Sequence, residues 1–382
     1  MTHIPISVLP ATTAVEEGAR VMGICNSCRY CEGFCAVFPA MERRLTFTPE
    51  SMHFLANLCH NCGACYHACQ YAPPHAFAIE VPKAMAAIRK ETYARFAFPQ
   101  ALGKAYQRQG LALSLAAVVA FFVIFIVGAV GGGDPARLFT APGPGLFYEI
   151  TSHGLLVSVF GPVFLFAVLA MVISGMKYWT MLRASSNEAA FPLQEAADTA
   201  QAVLTLRYLE GGGDGCPDQS DAPNHSRRIH HHLVFYGFML CLASTSIATL
   251  YHYLLNQPAP YPLLSAPVIL GTVGGLLMVL GCTGLLLTRA KRNPVLKRAD
   301  QSVMDVGFVV LLLLIAASGL ALLAVRTTAA MPLVHLFHLS TVLAFFLLMP
   351  YSKFVHGLYR GIALWWHHRE QRNPTRLKLS DA

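Results

Sequence analysis

Between about residue 110 and residue 357 the chain alternates long apolar runs with short polar connections. Six runs reach roughly 20 residues or more, at 110–131, 152–176, 230–255, 265–288, 302–325 and 332–356, and about 20 apolar residues is what a helix needs to cross a bilayer core. Charged residues make up only 13% of the chain, against about 25% in a soluble protein of this length. A large soluble helical core does not produce six such runs in order. The expected fold is mainly α: a helical N-terminal domain over 1–108, then a six-helix membrane bundle over 109–366. The bundle is interrupted by an insertion at 177–228 and followed by a basic tail at 367–382.

Lys and Arg placement sets the expected orientation, since they collect on the cytoplasmic side. One side of the predicted bundle carries Lys177, Arg183, Arg207, Arg227 and Arg228, then Arg289, Lys291, Arg292, Lys297 and Arg298, then Lys353, Arg360, Arg369, Arg372, Arg376 and Lys378. The other side carries Arg137 and Arg326. Both termini are therefore expected in the cytoplasm of a bacterial-type inner membrane, which agrees with an even number of spans. Residues 1–24 hold Glu16, Glu17 and Arg20 and lack an apolar h-region, so export of the N-terminus is not expected.

Two connecting segments have helical patterns. Residues 187–209 read as a helix with Ser185, Ser186 or Asn187 as candidate caps, followed by a flexible Gly211-Gly212-Gly213-Asp214-Gly215-Cys216 stretch in which Cys216 reads as a plain loop thiol. Residues 82–108, with Lys83, Arg89, Lys90 and Arg95, read as a helix resting on the membrane surface.

Eight of the eleven cysteines form two runs of identical spacing. Cys25, Cys28, Cys31 and Cys35 follow C-x2-C-x2-C-x3-C, and Cys59, Cys62, Cys65 and Cys69 repeat it. On an unexported segment this reads as a metal framework rather than disulfides. Three thiolates from a tight loop and a fourth from further away suit a [4Fe–4S] cubane, and in two-cluster ferredoxins the fourth cysteine of each run serves the other cluster. The expected sets are Cys25, Cys28, Cys31 and Cys69 for one cluster, and Cys59, Cys62, Cys65 and Cys35 for the other. The proline usual after the fourth cysteine is displaced to Pro39 and Pro73. Zinc sites use ligand pairs instead. Between the runs, Thr48 caps a predicted helix from Pro49 to about Leu58, which favours a helical domain over a β-rich one.

Ionisable groups in a bilayer are costly and mark function. His338 and His356 are 18 residues apart, five turns of one helix, which predicts a shared face with about 27 Å between them. The third span has His230, His231 and His232 at one end and His252 at the other. His231 differs in facing from His252 by about 60°, His232 by about 160°. His231 is preferred on geometry, and His232 stays open. Antiparallel third and sixth spans would offer His231 with His356 near the cytoplasm and His252 with His338 near the outer face. Such pairs hold haem iron in a bundle, which predicts two b-type haems. His153 and His335 could replace either outer ligand. No CxxCH is present, so c-type haem is not expected.

The run Cys28-Arg29-Tyr30-Cys31-Glu32-Gly33-Phe34-Cys35, the run from Cys59-His60-Asn61-Cys62 to Pro74-His75, the segment His231-His232 to Tyr251-His252-Tyr253, and Pro350-Tyr351-Ser352-Lys353-Phe354-Val355-His356-Gly357 together resemble the tricarballylate-utilisation protein B, or citrate-utilisation B, family over residues 20 to 365. The last span is also similar to the haem-binding helix of the respiratory nitrate reductase gamma subunit. The resemblance implies an electron-transfer protein that reoxidises a cytoplasmic FAD-dependent dehydrogenase, acting on tricarballylate in that family, and passes the electrons to membrane quinone. A quinol-oxidising subunit feeding a cytoplasmic reductase is the nearest alternative, and a membrane redox sensor that turns nothing over is a more distant one. No nucleophile–base constellation, nucleotide fingerprint or flavin site is visible, so no catalytic residue and no nucleic-acid partner are expected. Lys353 could meet a quinone head group, though a snorkelling lysine is the simpler reading.

Overall fold

Local signals start each N-terminal helix. Thr13 accepts a hydrogen bond from Glu16 N while the Glu16 carboxylate accepts from Thr13 N, a reciprocal cap that begins α1 (Ala14–Cys28). After α2 (Val37–Glu42), Thr48 accepts from Ser51 N and Pro49 opens α3 (Pro49–Leu58), where the sequence placed it. Two further helices, α4 (Ala64–His67) and α5 (Val81–Phe96), complete the domain. Val21, Met22, Met52, Leu55, Met85 and Ile88 form its buried core. The computed structural model describes residues 13–131, 135–140, 147–184, 193–296 and 299–372. Among them the protein is helical and has no strand, only one isolated bridge between Cys216 and Asn224.

The single surface helix expected over 82–108 is corrected. Helix α5 packs against α1 and α3 with Met85, Ile88 and Tyr93 inside the core. It stops before Pro99, whose ring and missing N–H break the helix. A new helix, α6 (Gln100–Gly131), then enters the first apolar run and bends at Gln109, where φ is −135°.

The remaining helices are α7 (Phe147–Ile150), α8 (His153–Ala184), α9 (Leu193–Leu204), α10 (Ser226–Leu254), α11 (Ala266–Lys291), α12 (Ala299–Val325), α13 (Met331–Leu348) and α14 (Val355–Arg372). Six helices, α6, α8, α10, α11, α12 and α13, are long and apolar enough to cross a membrane. In lipid no hydrophobic force separates helix from solvent, so contacts rely on close backbone approach at small residues. The α10–α11 pair shows this over its length. A Cβ added to Gly274 would stand 2.7 Å from Gly237 O and 2.9 Å from Cys241 N, and one on Gly281 would stand 2.8 Å from Val234 N. Gly110 of α6 and Gly307 of α12 cross as closely.

The last apolar run is also corrected. It does not form one helix from 332 to 356. Helix α13 ends at Leu348, the chain turns through Pro350 and Tyr351, and α14 starts at Val355. Met349 still has helical angles and donates to Phe345 O, but Pro350 has no N–H to continue the ladder and its ring crowds the preceding turn. The five-turn argument for His338 and His356 therefore fails, because the two stand on different helices. Helix α14 turns back into the N-terminal domain. Tyr359 stacks on Tyr93 with ring centres 5.4 Å apart and meets Tyr178 of α8 at 5.2 Å. Trp365 and Trp366 are buried in the same core.

The insertion is compact rather than flexible where it is described. Gly211, Gly212, Gly213 and Gly215 all have φ between 57° and 116°, a left-handed run that only glycine adopts freely. It lays Leu206, Leu209 and Cys216 against Cys62 and Ala64. The expected caps Ser185, Ser186 and Asn187, the bases Lys297 and Arg298, and the tail beyond Arg372 lie outside the described residues.

Candidate metal centres

Helix α1 delivers Cys25 and Cys28 from its last turn, and its left-handed cap at Arg29 (φ 57°) turns the chain so that Cys31 follows on the same side. Cys25, Cys28, Cys31, Cys65 and Cys69 line one cavity of about 250 Å³. Burial, and then Cys31, Cys69 and Cys28, push the Cys25 thiol up to about 12. The Cys31 thiol is raised to about 12 in the same way, by burial and then by Cys69 and Cys28. Cys35 and Cys65 are raised well above the usual thiol range by burial first, then by Cys62 and Cys59. The eight thiols thus neighbour one another as two groups, with the fourth cysteine of each run beside the other run. So many thiols crowded away from water cannot ionise together without cations among them, and the donor set fits iron–sulfur clusters. Among the described residues no three His, Cys, Asp or Glu side chains converge on one ion. A cubane places its four thiolates around a cluster rather than on a common ion.

The second run is closed by parts of the chain far away in sequence. Cys216, which the sequence offers only as a loop thiol, is 1% exposed, donates to Leu209 O at 3.8 Å and packs with Cys62. Cys216 first, then Ala64 N–H and Arg227, hold the Cys62 thiol below its usual range against burial. Four arginines from four elements then converge on the backbone of residues 56–61. Arg89 Nη1 donates to Cys59 O at 2.6 Å and to Ala56 O at 3.0 Å. Arg227 donates to Asn61 O at 2.7 Å and His60 O at 2.9 Å. Arg360 donates to Cys59 O at 2.6 Å, Asn57 O at 3.1 Å and His60 Nδ1 at 3.1 Å. Arg292 donates to Asn61 O. Sequence reasoning missed this convergence, since backbone acceptors carry no motif.

The expected inner histidines meet. His231 of α10 and His356 of α14 have ring centres 6.0 Å apart at 78°. That separation leaves room between the two rings for one metal ion at about 2 Å from a nitrogen of each. His231 Nδ1 is buried without a hydrogen-bond partner. His356 Nδ1 donates to Lys353 O, which leaves Nε2 as its free donor, as ligating histidines are commonly held. Burial first, then Arg360 and His231, keep the His356 imidazole well below its usual range and therefore neutral. His60, buried beside the second cysteine run, is lowered by burial, by Arg360 and Arg227, and by His231. His232 faces Tyr236 instead, at 5.8 Å. This donor set fits a bis-histidine haem.

The outer histidines are arranged differently from the expected pair. His252 stacks on His153 with ring centres 4.4 Å apart, and Tyr148 and Tyr253 join them. His338 Nδ1 shares a hydrogen bond with Ser318 Oγ at 2.9 Å, next to Gly319, and His335 is buried one turn away. The structure does not bring His252 and His338 together as it does His231 and His356. Lys353 Nζ pairs with Asp305 Oδ1 at 3.0 Å and lies over the Tyr93 ring.

Comparison with known proteins adds family evidence to this geometry. Residues 104–376 match the family described as Citrate utilization protein B. Residues 18–95 match the Citrate utilization protein B Fer4-like domain. The chain is similar to Citrate utilization protein B of Escherichia coli, 48% identical over 354 residues that cover 92% of each chain. No solved structure matches.

Proposed function

The chain belongs to the citrate utilization protein B family, and from that premise we propose that it is a membrane-embedded electron carrier that draws electrons from a reduced FAD-dependent dehydrogenase in the cytoplasm and delivers them to membrane quinone. Two [4Fe–4S] clusters and b-type haem supply one-electron carriage, which splits the two-electron flavin couple into single steps. Cys25, Cys28, Cys31 and Cys69 would hold the first cluster, and Cys59, Cys62, Cys65 and Cys35 the second. His231 and His356 would hold the inner haem, and His153, His252, His335 and His338 would be the donors available to an outer one. The dehydrogenase of the resembled family acts on tricarballylate, a choice that would rest with that partner.

The observation that carries the reading is the continuity of the second cysteine run with the histidine pair. Arg360 donates to both Cys59 O and His60 Nδ1, and His60 and His356 both lie within the electrostatic reach of His231. In this scheme the protein holds and spaces the carriers, and Lys353, paired to Asp305, secures the turn that presents His356.

The test uses purified full-length chain in detergent. Iron, sulfide and haem are quantified, and haem reduction is followed after adding a reduced flavoprotein dehydrogenase with its substrate. Haem reduction through the clusters supports the reading. A preparation lacking clusters and b-type haem, or haems with potentials below both clusters, refutes outward flow.

A further inference from the structure

The four guanidiniums around residues 56–61 leave an unbalanced charge. Their ion pairs among the described residues run to one carboxylate, Asp218, which lies 3.5 Å from Arg227 and 3.2 Å from Arg292 and is itself 1% exposed. The other hydrogen bonds go to neutral backbone carbonyls and to His60. All four guanidiniums stay charged at neutral pH, because arginine does not lose its proton in proteins. Burying several cations against one anion is costly unless a further anion stands among them. Cys59 lies there beside Arg360 and Cys62 beside Arg227, and Cys35 and Cys65 adjoin those two thiols. The four arginines donate to the loop of the second set and to none of the first set's backbone among the described residues, and the first run carries one charge of each sign, Arg29 and Glu32.

We propose that Arg89, Arg227, Arg292 and Arg360 form a cationic collar that raises the reduction potential of the cluster on the Cys59 set above that of the cluster on the Cys25 set, so that electrons fall inward toward the histidine pair. The inference rests on the cluster assignment proposed above. A cubane with four thiolates is a net anion, and reduction adds one more negative charge. Nearby fixed cations therefore favour the reduced form. In the transfer itself one electron leaves the first cluster, which is oxidised, and reduces the second, and no bond or proton changes place. The arginines touch the loop that carries the ligands, so they act as positioning and tuning residues.

The test is a potentiometric titration of the purified holoprotein followed by electron paramagnetic resonance, with the first cluster's signal identified as the one altered in Cys28→Ser. In the wild type the other signal should have the higher potential. In Arg227→Gln its reduced-to-oxidised ratio at fixed ambient potential should fall at least tenfold, about 59 mV for a one-electron couple. The first signal should stay where it is, and Arg227→Lys should retain most of the wild-type value. Unmoved potentials, equal shifts in both signals, or a first cluster above the second in the wild type overturn the collar. The wild-type ordering alone decides the matter if Arg227→Gln does not fold. A purified chain with no pair of cluster signals overturns the function proposed above instead.

Discussion

Gly274→Ala should loosen the α10–α11 pair far more than an alanine placed elsewhere in the bundle. The new Cβ would stand 2.7 Å from Gly237 O and 2.9 Å from both Cys241 N and Sγ. Carbon contacts settle at about 3.5–4.0 Å, so the helices must move apart by about 1 Å. Two of the three obstructing atoms are backbone, and no rotamer change relieves them. Overpacking of this kind costs about 1–3 kcal/mol, or about 5- to 150-fold in the unfolding equilibrium. The matched control is Gly128→Ala in α6, where nothing lies within 4 Å of the added carbon and replacing helix glycine is favourable by about 0.5–1 kcal/mol. Unfolding of both variants by heat or SDS in micelles measures the difference. Because α10 also presents His231 to His356, the Gly274 variant should broaden the b-type spectrum before it unfolds. Equal stabilities for the two variants would refute the close-approach argument.

Other expectations follow from individual contacts. His231→Ala and His356→Ala should each remove the inner haem's absorbance, and His232→Ala should not, as read from reduced-minus-oxidised spectra. Asp218→Asn removes the carboxylate shared by Arg227 and Arg292, so the insertion should lose about 3–5 kcal/mol and become sensitive to limited proteolysis, while the second cluster's potential rises, opposite to the arginine variants. His53, buried against Thr92, has its pKa lowered to about 4 by burial and then by Arg95. The unfolded chain takes up that proton near 6.5, so the stability present above pH 6.5 should decline as pH falls toward 4. The slope is at most about 1.4 kcal/mol per pH unit. Hydrogen exchange in α3 should show that decline, and His53→Gln should flatten it.

The features that a sequence shows well here are the local ones. Thr48 and Pro49 announce α3 because a cap and a first-turn proline act within a few residues. The apolar runs announce the spans because length alone meets the bilayer's demand. The break after Leu348 was written in Pro350, yet the apolar run continues on both sides of it and masks the turn, and the matching phase of His338 and His356 reinforced the wrong reading. The contact of His252 with His153 was half legible: the sequence offered His153 as an outer donor, but the 99 positions between them hid that the two rings stack. The arginine collar was illegible for a different reason. Arg89, Arg227, Arg292 and Arg360 look like ordinary basic residues near membrane ends, and three of them counted toward sidedness. Their real partners are peptide carbonyls up to 303 residues away, which leave no trace in residue type.

That distance has a consequence for biosynthesis. Everything that shapes the Cys25, Cys28, Cys31 and Cys69 cavity comes from the first 81 residues, so it can form while the rest of the chain is still on the ribosome. The Cys59 run is different. Its enclosure needs Cys216 and Asp218 from the insertion, Arg292 after the fourth span and Arg360 from the last helix. Translation must be nearly finished, and every span inserted, before that half of the domain can close. The two halves of one small domain therefore mature at opposite ends of synthesis. Truncation after α13 should strand the second half open while leaving the first intact.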